Sequence, residues 1–282
     1  MRTTASSPDA ATGTASQWRG GPDEPLFAAT LSAVAGYVDT AGFLALFGMF
    51  PAHLTGNLVS AGAAMSTHLK VGVGTRLAMI PFFMAAVAVS ALVARRARAQ
   101  ETSPVVPLLG LMTVSLAVFC LTGVFLHRFA TGADTWAVLL IGGAAVAAMG
   151  VQNALMREAL GSCCATTVMT GNLTQFTIDL VDVVISLPGS DAVRRASTGA
   201  RLFKFGLPVA GFLIGAIAGG GLTTVFGLSS IALPTAVSAL LTGAARRGAT
   251  APEAEPRRRD IRRRVITLQP VAVSGGPAAP IG

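Results

Sequence analysis

Asp39 is the residue of this sequence with the clearest capacity for chemistry. It lies inside an apolar stretch, and no lysine or arginine occurs within about 18 residues on either side. A carboxylate at membrane depth costs at least about 2.5 kcal/mol, so it must face the protein interior, find a partner or become protonated. Two interpretations stay open. Asp39 is a site that responds to protons or cations, or it makes a structural hydrogen bond between two halves of the chain.

Two copies of the tripeptide Thr-Gly-Asn form a second candidate site. Each interrupts an apolar segment, and the copies are Thr55-Gly56-Asn57 and Thr170-Gly171-Asn172. Glycine allows unusual backbone angles, and Thr and Asn accept backbone N–H bonds at helix starts. A helix that begins inside a membrane presents free N–H groups, which suit an anionic group or a polar solute. The alternative is that Thr and Asn only satisfy the break in the helix.

A polar stripe follows the second break. Its separations of 3, 4 and 3 residues place it on one helical face, and its members are Asn172, Gln175, Asp179 and Asp182. The stripe predicts the wall of a wet cavity. An interface where the segment leaves the membrane is the alternative, and it is favoured for Asp182. The sequence has no histidine pair with metal-ligand spacing and no hydrolase motif. We therefore expect no enzyme activity, no metal and no cofactor.

The composition indicates that lipid solvates the chain. Of 282 residues, 52% are hydrophobic and 12% are charged, whereas an ordinary soluble domain is about a quarter charged. The net charge of +8 is concentrated in an arginine-rich tail at 246–282. Basic juxtamembrane clusters favour anionic lipid, so we expect this tail to contact lipid and expect no nucleic acid partner.

Eight apolar stretches predict the helices that position these residues. A full span needs about 20 residues, and the second and sixth stretches carry the polar breaks. If all eight cross, one strongly positive loop faces outside, against the positive-inside rule. If the second and sixth are re-entrant, six helices span the membrane and both termini are cytoplasmic, which is the preferred interpretation. The predicted limits are 26–48, 51–67, 73–94, 104–126, 135–157, 163–186, 204–226 and 229–245.

Two halves of the sequence look alike. Gly36-Tyr37-Val38-Asp39 matches Gly150-Val151-Gln152-Asn153 at an offset of 114 residues, and the Thr-Gly-Asn copies match at 115. Three spans per half is an odd number, so the halves are inverted, a plan common in secondary transporters. The predicted organisation is a disordered leader, two membrane repeats and a disordered tail, at 1–25, 26–126, 135–245 and 246–282.

These motifs resemble those of the YoaK-like bacterial membrane proteins. The resemblance covers about 26–245 and depends most on the paired Thr-Gly-Asn elements with Asp39 and Gln152-Asn153 upstream. It implies a multi-pass protein of the bacterial inner membrane with no assigned biochemical function. The arginine-rich tail lies outside the resemblance.

We therefore expect an all-α membrane protein with about six spans and two re-entrant or broken helices. The working hypothesis is a transporter or permease for a small polar or anionic solute. In it the two breaks bind the solute, helped by Gln152, Asn153, Gln175 and Asp179, and Asp39 couples transport to a proton. The alternative is a non-catalytic scaffold or sensor. The sequence leaves open whether the protein forms a homo-oligomer.

Overall fold

The computed structural model describes residues 24–66, 71–161, 163–164, 166–185 and 192–250. Almost all of the predicted leader and most of the predicted tail lie outside these residues. The described part is built from eight α-helices and two short 3₁₀ turns, His127–Phe129 and Gly227–Ile231, and it contains no strand. The helices are α1 (Glu24–Ala45), α2 (Leu54–Met65), α3 (Val73–Ala99), α4 (Val105–Leu126), α5 (Trp136–Glu158), α6 (Met169–Ile185), α7 (Ala192–Phe226) and α8 (Ala232–Thr250).

Each predicted apolar stretch overlaps one of these helices. The predicted start of the seventh stretch at 204 is wrong, because α7 already begins at Ala192. Residues 197–204 are polar but helical, and Arg201 on this first part of α7 is bonded to Asp179 on α6. This part of α7 packs against α6 and not against lipid, so a search for apolar stretches does not find it.

Long apolar helices make this an integral membrane protein. Five segments are long and apolar enough to cross a membrane, and the last of them, Ser197–Gly248, contains most of α7 and α8. A large share of the segments of α1 and α5 is buried, 67% and 72%, against 17% for α3. The two helices that carry Asp39 and Gln152 therefore lie at the centre, and α3 presents an apolar surface to the bilayer.

A row of glycines holds α7 against α1. In the sequence Gly211, Gly215 and Gly219 recur at every fourth position, a small-residue ridge that predicts close helix packing, and the structure confirms it. A Cβ atom added at each glycine would clash with a backbone carbonyl of α1; the pairs are Gly211 with Ala29, Gly215 with Ala33, and Gly219 with Tyr37. Along these pairs the residue numbers rise by four on both helices. Helices α1 and α7 therefore run parallel, with their backbones in contact.

The other contacts give the directions of the remaining helices. Phe176 of α6 packs on Gly206 of α7, and Asp179 bonds Arg201, so α6 runs antiparallel to α7. The hydroxyl of Thr113 on α4 lies 2.8 Å from that of Ser238 on α8. Since Leu228 also packs on Gly123 of α4, the chain reverses at Gly227–Ile231 and α8 returns alongside α4.

Candidate functional site

Both Thr-Gly-Asn elements lie in the first turn of a short helix. Residues 46–53 are non-helical before α2, and the described residues between α5 and α6 are non-helical as well. His53 occupies the N-cap position of α2 and makes no side-chain capping bond. Thr55 and Thr170 are exposed at the surface of the protein. The chain therefore breaks where the sequence predicts, and each break is followed by a helix start.

Asp39 is bonded to the first break. It is 7% exposed, and its Oδ1 accepts the N–H of Ala52 at 2.7 Å. Its Oδ2 lies 2.8 Å from Nδ1 of His53, whose side chain is 36% exposed. The imidazole meets the ring of Phe212 on α7 edge-on, with 5.7 Å between the ring centroids. The carboxylate thus joins α1 to the break through one backbone group and one group that can carry a proton.

Asn57 closes the same break. Its Oδ1 accepts the N–H of Phe50 and its Nδ2 donates to the carbonyl of Phe50, both at 2.8 Å. The side chain is fully buried. Both backbone groups of a non-helical residue are therefore satisfied by one amide, as buried polar groups require. This geometry supports a structural role for Asn57, while Thr55 and Gly56 stay open to other contacts.

The second break has the same spacing and different chemistry. The hydroxyl of Thr167 donates to Oδ1 of Asn153 at 2.8 Å, across 14 residues, and Asp39 and His53 are also 14 residues apart. Nδ2 of Asn153 donates to the carbonyl of Met149 at 2.9 Å. Asp39 and Asn153, which match in the sequence, therefore each contact a residue 14 positions further along the chain.

Gln152 attaches the second break to α1. Its Nε2 donates to the carbonyl of Leu31 at 2.8 Å and to Oγ1 of Thr166 at 3.0 Å. Leu31 and Asp39 lie eight residues apart on α1, about 12 Å along a helix. They flank Ala35, which is in the middle of Glu24–Ala45. Both breaks are therefore held by α1, on either side of its centre.

The polar stripe of α6 faces α7. Asp179 is fully buried, and its Oδ1 accepts from Nε of Arg201 at 2.9 Å and from Gln175 at 3.2 Å. Asp182 is half exposed and lies 3.7 Å from Arg201. Asn172, at the start of the stripe, is buried. In this part of the molecule the stripe is a helix–helix contact built around an ion pair.

Asp134 is a polar residue that the sequence reasoning missed. Its carboxylate accepts the N–H of Gly72 at 2.6 Å and both the N–H and the hydroxyl of Thr75, so it caps the start of α3. Burial works to raise the pKa of Asp134, but these hydrogen bonds and the nearby Arg76 outweigh it and lower the pKa. The loop and the helix lie about 60 residues apart in sequence, so no local pattern indicates this contact.

The fold and its two breaks define an all-helical integral membrane protein whose apolar helices contact the lipid bilayer. Residues 27–244 match the family described as Protein of unknown function (DUF1275), and the chain belongs to this family. The membership is consistent with the YoaK-like resemblance, and the family description assigns no activity. No match was found among curated proteins or among solved structures.

Proposed function

We propose that the protein is a transporter or permease that moves a small polar solute across the inner membrane of a bacterium. The observation that carries the proposal is the contact of the buried Asp39 with the partly exposed His53 at a break in the first half. Asn153 and Thr167 make a contact with the same 14-residue spacing in the second half. Polar groups held at chain breaks near the middle of a membrane helix are typical of transporter binding sites.

The helix lengths and directions support an inverted repeat in this proposal. Helices α2 and α6 have 12 and 17 residues, fewer than the roughly 20 that a span needs. Each begins near the level of its break on α1 and runs toward a different end of the protein. In the proposed topology six helices span, α2 and α6 are re-entrant, and the arginines at the end of α3 face the cytoplasm with both termini.

Proton exchange at Asp39 and His53 drives the proposed mechanism. A proton gained by the carboxylate weakens its bond to the N–H of Ala52, because a neutral acid is a poorer acceptor than a carboxylate. The first break then loosens from α1, and the N–H groups at the start of α2 become available to the solute. The second break, with Asn172 at the start of α6, binds the other side of the solute.

Flux into proteoliposomes tests this mechanism. We expect Asp39→Asn to remove the dependence of flux on a pH gradient, and Asn172→Ala to lower flux about tenfold or more. Ser115→Ala is the matched control, because its hydroxyl bonds only the carbonyl of Leu111 within α4. The mechanism is wrong if both site variants carry an identified solute at the rate of the control.

A scaffold or sensor is the second candidate function, and the arginine-rich tail is the observation that favours it. Eight arginines between 246 and 264 form a cluster that suits anionic lipid. Removing 251–282 separates the two functions. A scaffold or sensor should lose binding to vesicles that contain anionic lipid and lose its cellular phenotype, while a transporter should keep its flux. Sedimentation of the purified protein in detergent would show whether it forms a homo-oligomer.

A further inference from the structure

The side-chain oxygen Oε1 of Gln152 is a buried hydrogen-bond acceptor without a donor among the described residues. Both N–H groups of its amide are bonded, to Leu31 and to Thr166. Its Oε1 is buried, and no donor lies within hydrogen-bonding distance among the residues that the structure describes. The amide cannot be turned over, because Oε1 would then face the carbonyl of Leu31. The acceptor is therefore fixed in place.

Ser32, the residue that follows Leu31, supplies a second buried group without a partner among the described residues. Serine and threonine hydroxyls in helices commonly bond the carbonyl four residues earlier, as Thr30 does with Leu26. The hydroxyl of Ser32 is fully buried and makes no such bond within the described residues. Ser32 follows Leu31, to which Gln152 is bonded. It also lies seven residues before Asp39, so both are on one face of α1.

We infer that Gln152 and Ser32 form a subsite for an uncharged solute that carries N–H or O–H donors. This inference rests on the proposed transport function and narrows its substrate class. Oε1 of Gln152 can only accept a hydrogen bond, whereas the hydroxyl of Ser32 can donate or accept. An anion without a donor, such as chloride or nitrate, would face the negative end of the Gln152 carbonyl. A urea-like or polyol solute satisfies both groups.

The surroundings of the subsite agree with an uncharged ligand. Asp39 is paired with His53 and Asp179 with Arg201. The charged groups beside Cys163 and Cys164 of the second break, Glu24 and Lys204, carry opposite signs. Between Ser32 and Asp39, α1 carries the small residues Ala35 and Gly36, and Gly36 packs directly on the backbone of Phe212 in α7.

Permeability of proteoliposomes to two solute panels tests the inference. The donor-bearing panel is urea and glycerol, the donor-free panel is chloride and nitrate, and shrinkage is followed by stopped-flow light scattering. The variants are Ser32→Ala and Gln152→Leu. Ser32→Ala removes a hydroxyl that has no partner among the residues placed by the structure, so folding should be unaffected. Ser90→Ala is the control, since Ser90 is equally buried but bonds Ala86 at 2.7 Å.

We expect urea or glycerol to enter faster than into empty vesicles. Ser32→Ala and Gln152→Leu should lower that rate by about three- to tenfold, the effect of one lost hydrogen bond to a neutral group, while Ser90→Ala changes it less than about twofold. The inference is overturned, with transport intact, if only the anions move or if Ser32→Ala behaves like Ser90→Ala. If no solute of either panel moves, the transport proposal fails and the inference fails with it.

Discussion

The two breaks share a spacing and differ in the groups that fill it. At the first break the partners are Asp39 and His53, and both can change charge. At the second break the partners are Asn153 and Thr167, which stay neutral at any physiological pH. The comparison shows that the same spacing holds a contact between two ionisable groups at the first break and a contact between two neutral groups at the second.

The arginines near the start of the third helix of each half differ in the same way. Arg201 on α7 bonds the buried carboxylate of Asp179 on α6. Arg76 on α3 instead donates to the backbone carbonyls of Phe47 and Val71, at 2.7 and 3.1 Å. Helix α6 is thus attached to α7 through charge, whereas Arg76 attaches the loops on either side of α2 through neutral acceptors.

Loss of the arginine should be most costly in the second half. Arg201→Ala leaves the carboxylate of Asp179 buried without its cation, so we expect the free energy of unfolding to fall by about 2–4 kcal/mol. Arg76→Ala should cost about 0.5–1.5 kcal/mol, because it removes two hydrogen bonds to neutral carbonyls at an exposed edge and only a minor attraction to Asp134. Reversible unfolding in mixed micelles measures both. The difference between the two arginines is refuted if the two variants lose equal free energy of unfolding. It is also refuted if the double variant Arg201→Ala with Asp179→Asn is no more stable than Arg201→Ala alone.

Removal of the closing amide should come next. Asn57→Ala leaves the N–H and the carbonyl of Phe50 without their partner, so we expect a loss of about 1.5–3 kcal/mol. Thr55→Ala, two residues earlier and exposed, should stay within about 0.5 kcal/mol of the unchanged protein. The same unfolding measurement applies. Equal stability of the two variants would mean that Asn57 does not hold the first break closed.

Exchanging the acid and the amide between the breaks should have unequal effects. Asn153→Asp places an oxygen against the carbonyl of Met149, where Nδ2 now donates, so we expect a loss of about 1–3 kcal/mol. Asp39→Asn keeps an acceptor for the N–H of Ala52 and should cost less than about 1 kcal/mol. Unfolding at neutral pH measures the difference. If Asn153→Asp is the milder variant, the two breaks are not chemically distinct in the way described.

The smallest of the expected effects is the loss of stability when acid protonates Asp134 at the start of α3. The pKa of Asp134 is lowered from 3.8, because its hydrogen bonds outweigh burial. A group whose folded pKa is depressed contributes stability above its unfolded pKa and loses it as pH falls through the folded value. The melting temperature should therefore fall slightly more between pH 5 and about 3 in the unchanged protein than in Asp134→Asn. Identical pH profiles of the two proteins would show that the Asp134 carboxylate does not stabilise the start of α3.

Local pattern predicted the helices and the breaks well. Apolar length alone identified all eight helices, because each needs a lipid-facing or buried surface of definite length. The glycine ridge at Gly211, Gly215 and Gly219 also indicated close packing, since small residues at every fourth position leave a groove on one helix face. These signals are local, so a single sequence carries them.

The partners of the polar residues could not be predicted as well. The sequence left the partner of Asp39 open, and the structure shows His53, which reaches it because the chain folds back after α1. The sequence carries no signal for this partner, since the matched elements are 16 residues apart in the first half, from Asp39 to Thr55, and 17 in the second, from Asn153 to Thr170. No such signal exists for Ser32 or for the bond between Asp179 and Arg201, because burial and the pairing of α6 with α7 are set by tertiary packing.

The parallel contact of α1 with α7 bears on how the chain is assembled during synthesis. The glycines that receive α1 lie 182 residues further along the sequence than the carbonyls they meet. At 5–20 residues per second a ribosome needs about 10–40 s to cover that interval. For that time α1 resides in the bilayer with Ser32 and Asp39 and without its principal neighbour. A chaperone that binds newly inserted membrane helices would therefore have to bind α1 for longer than any other helix of this protein.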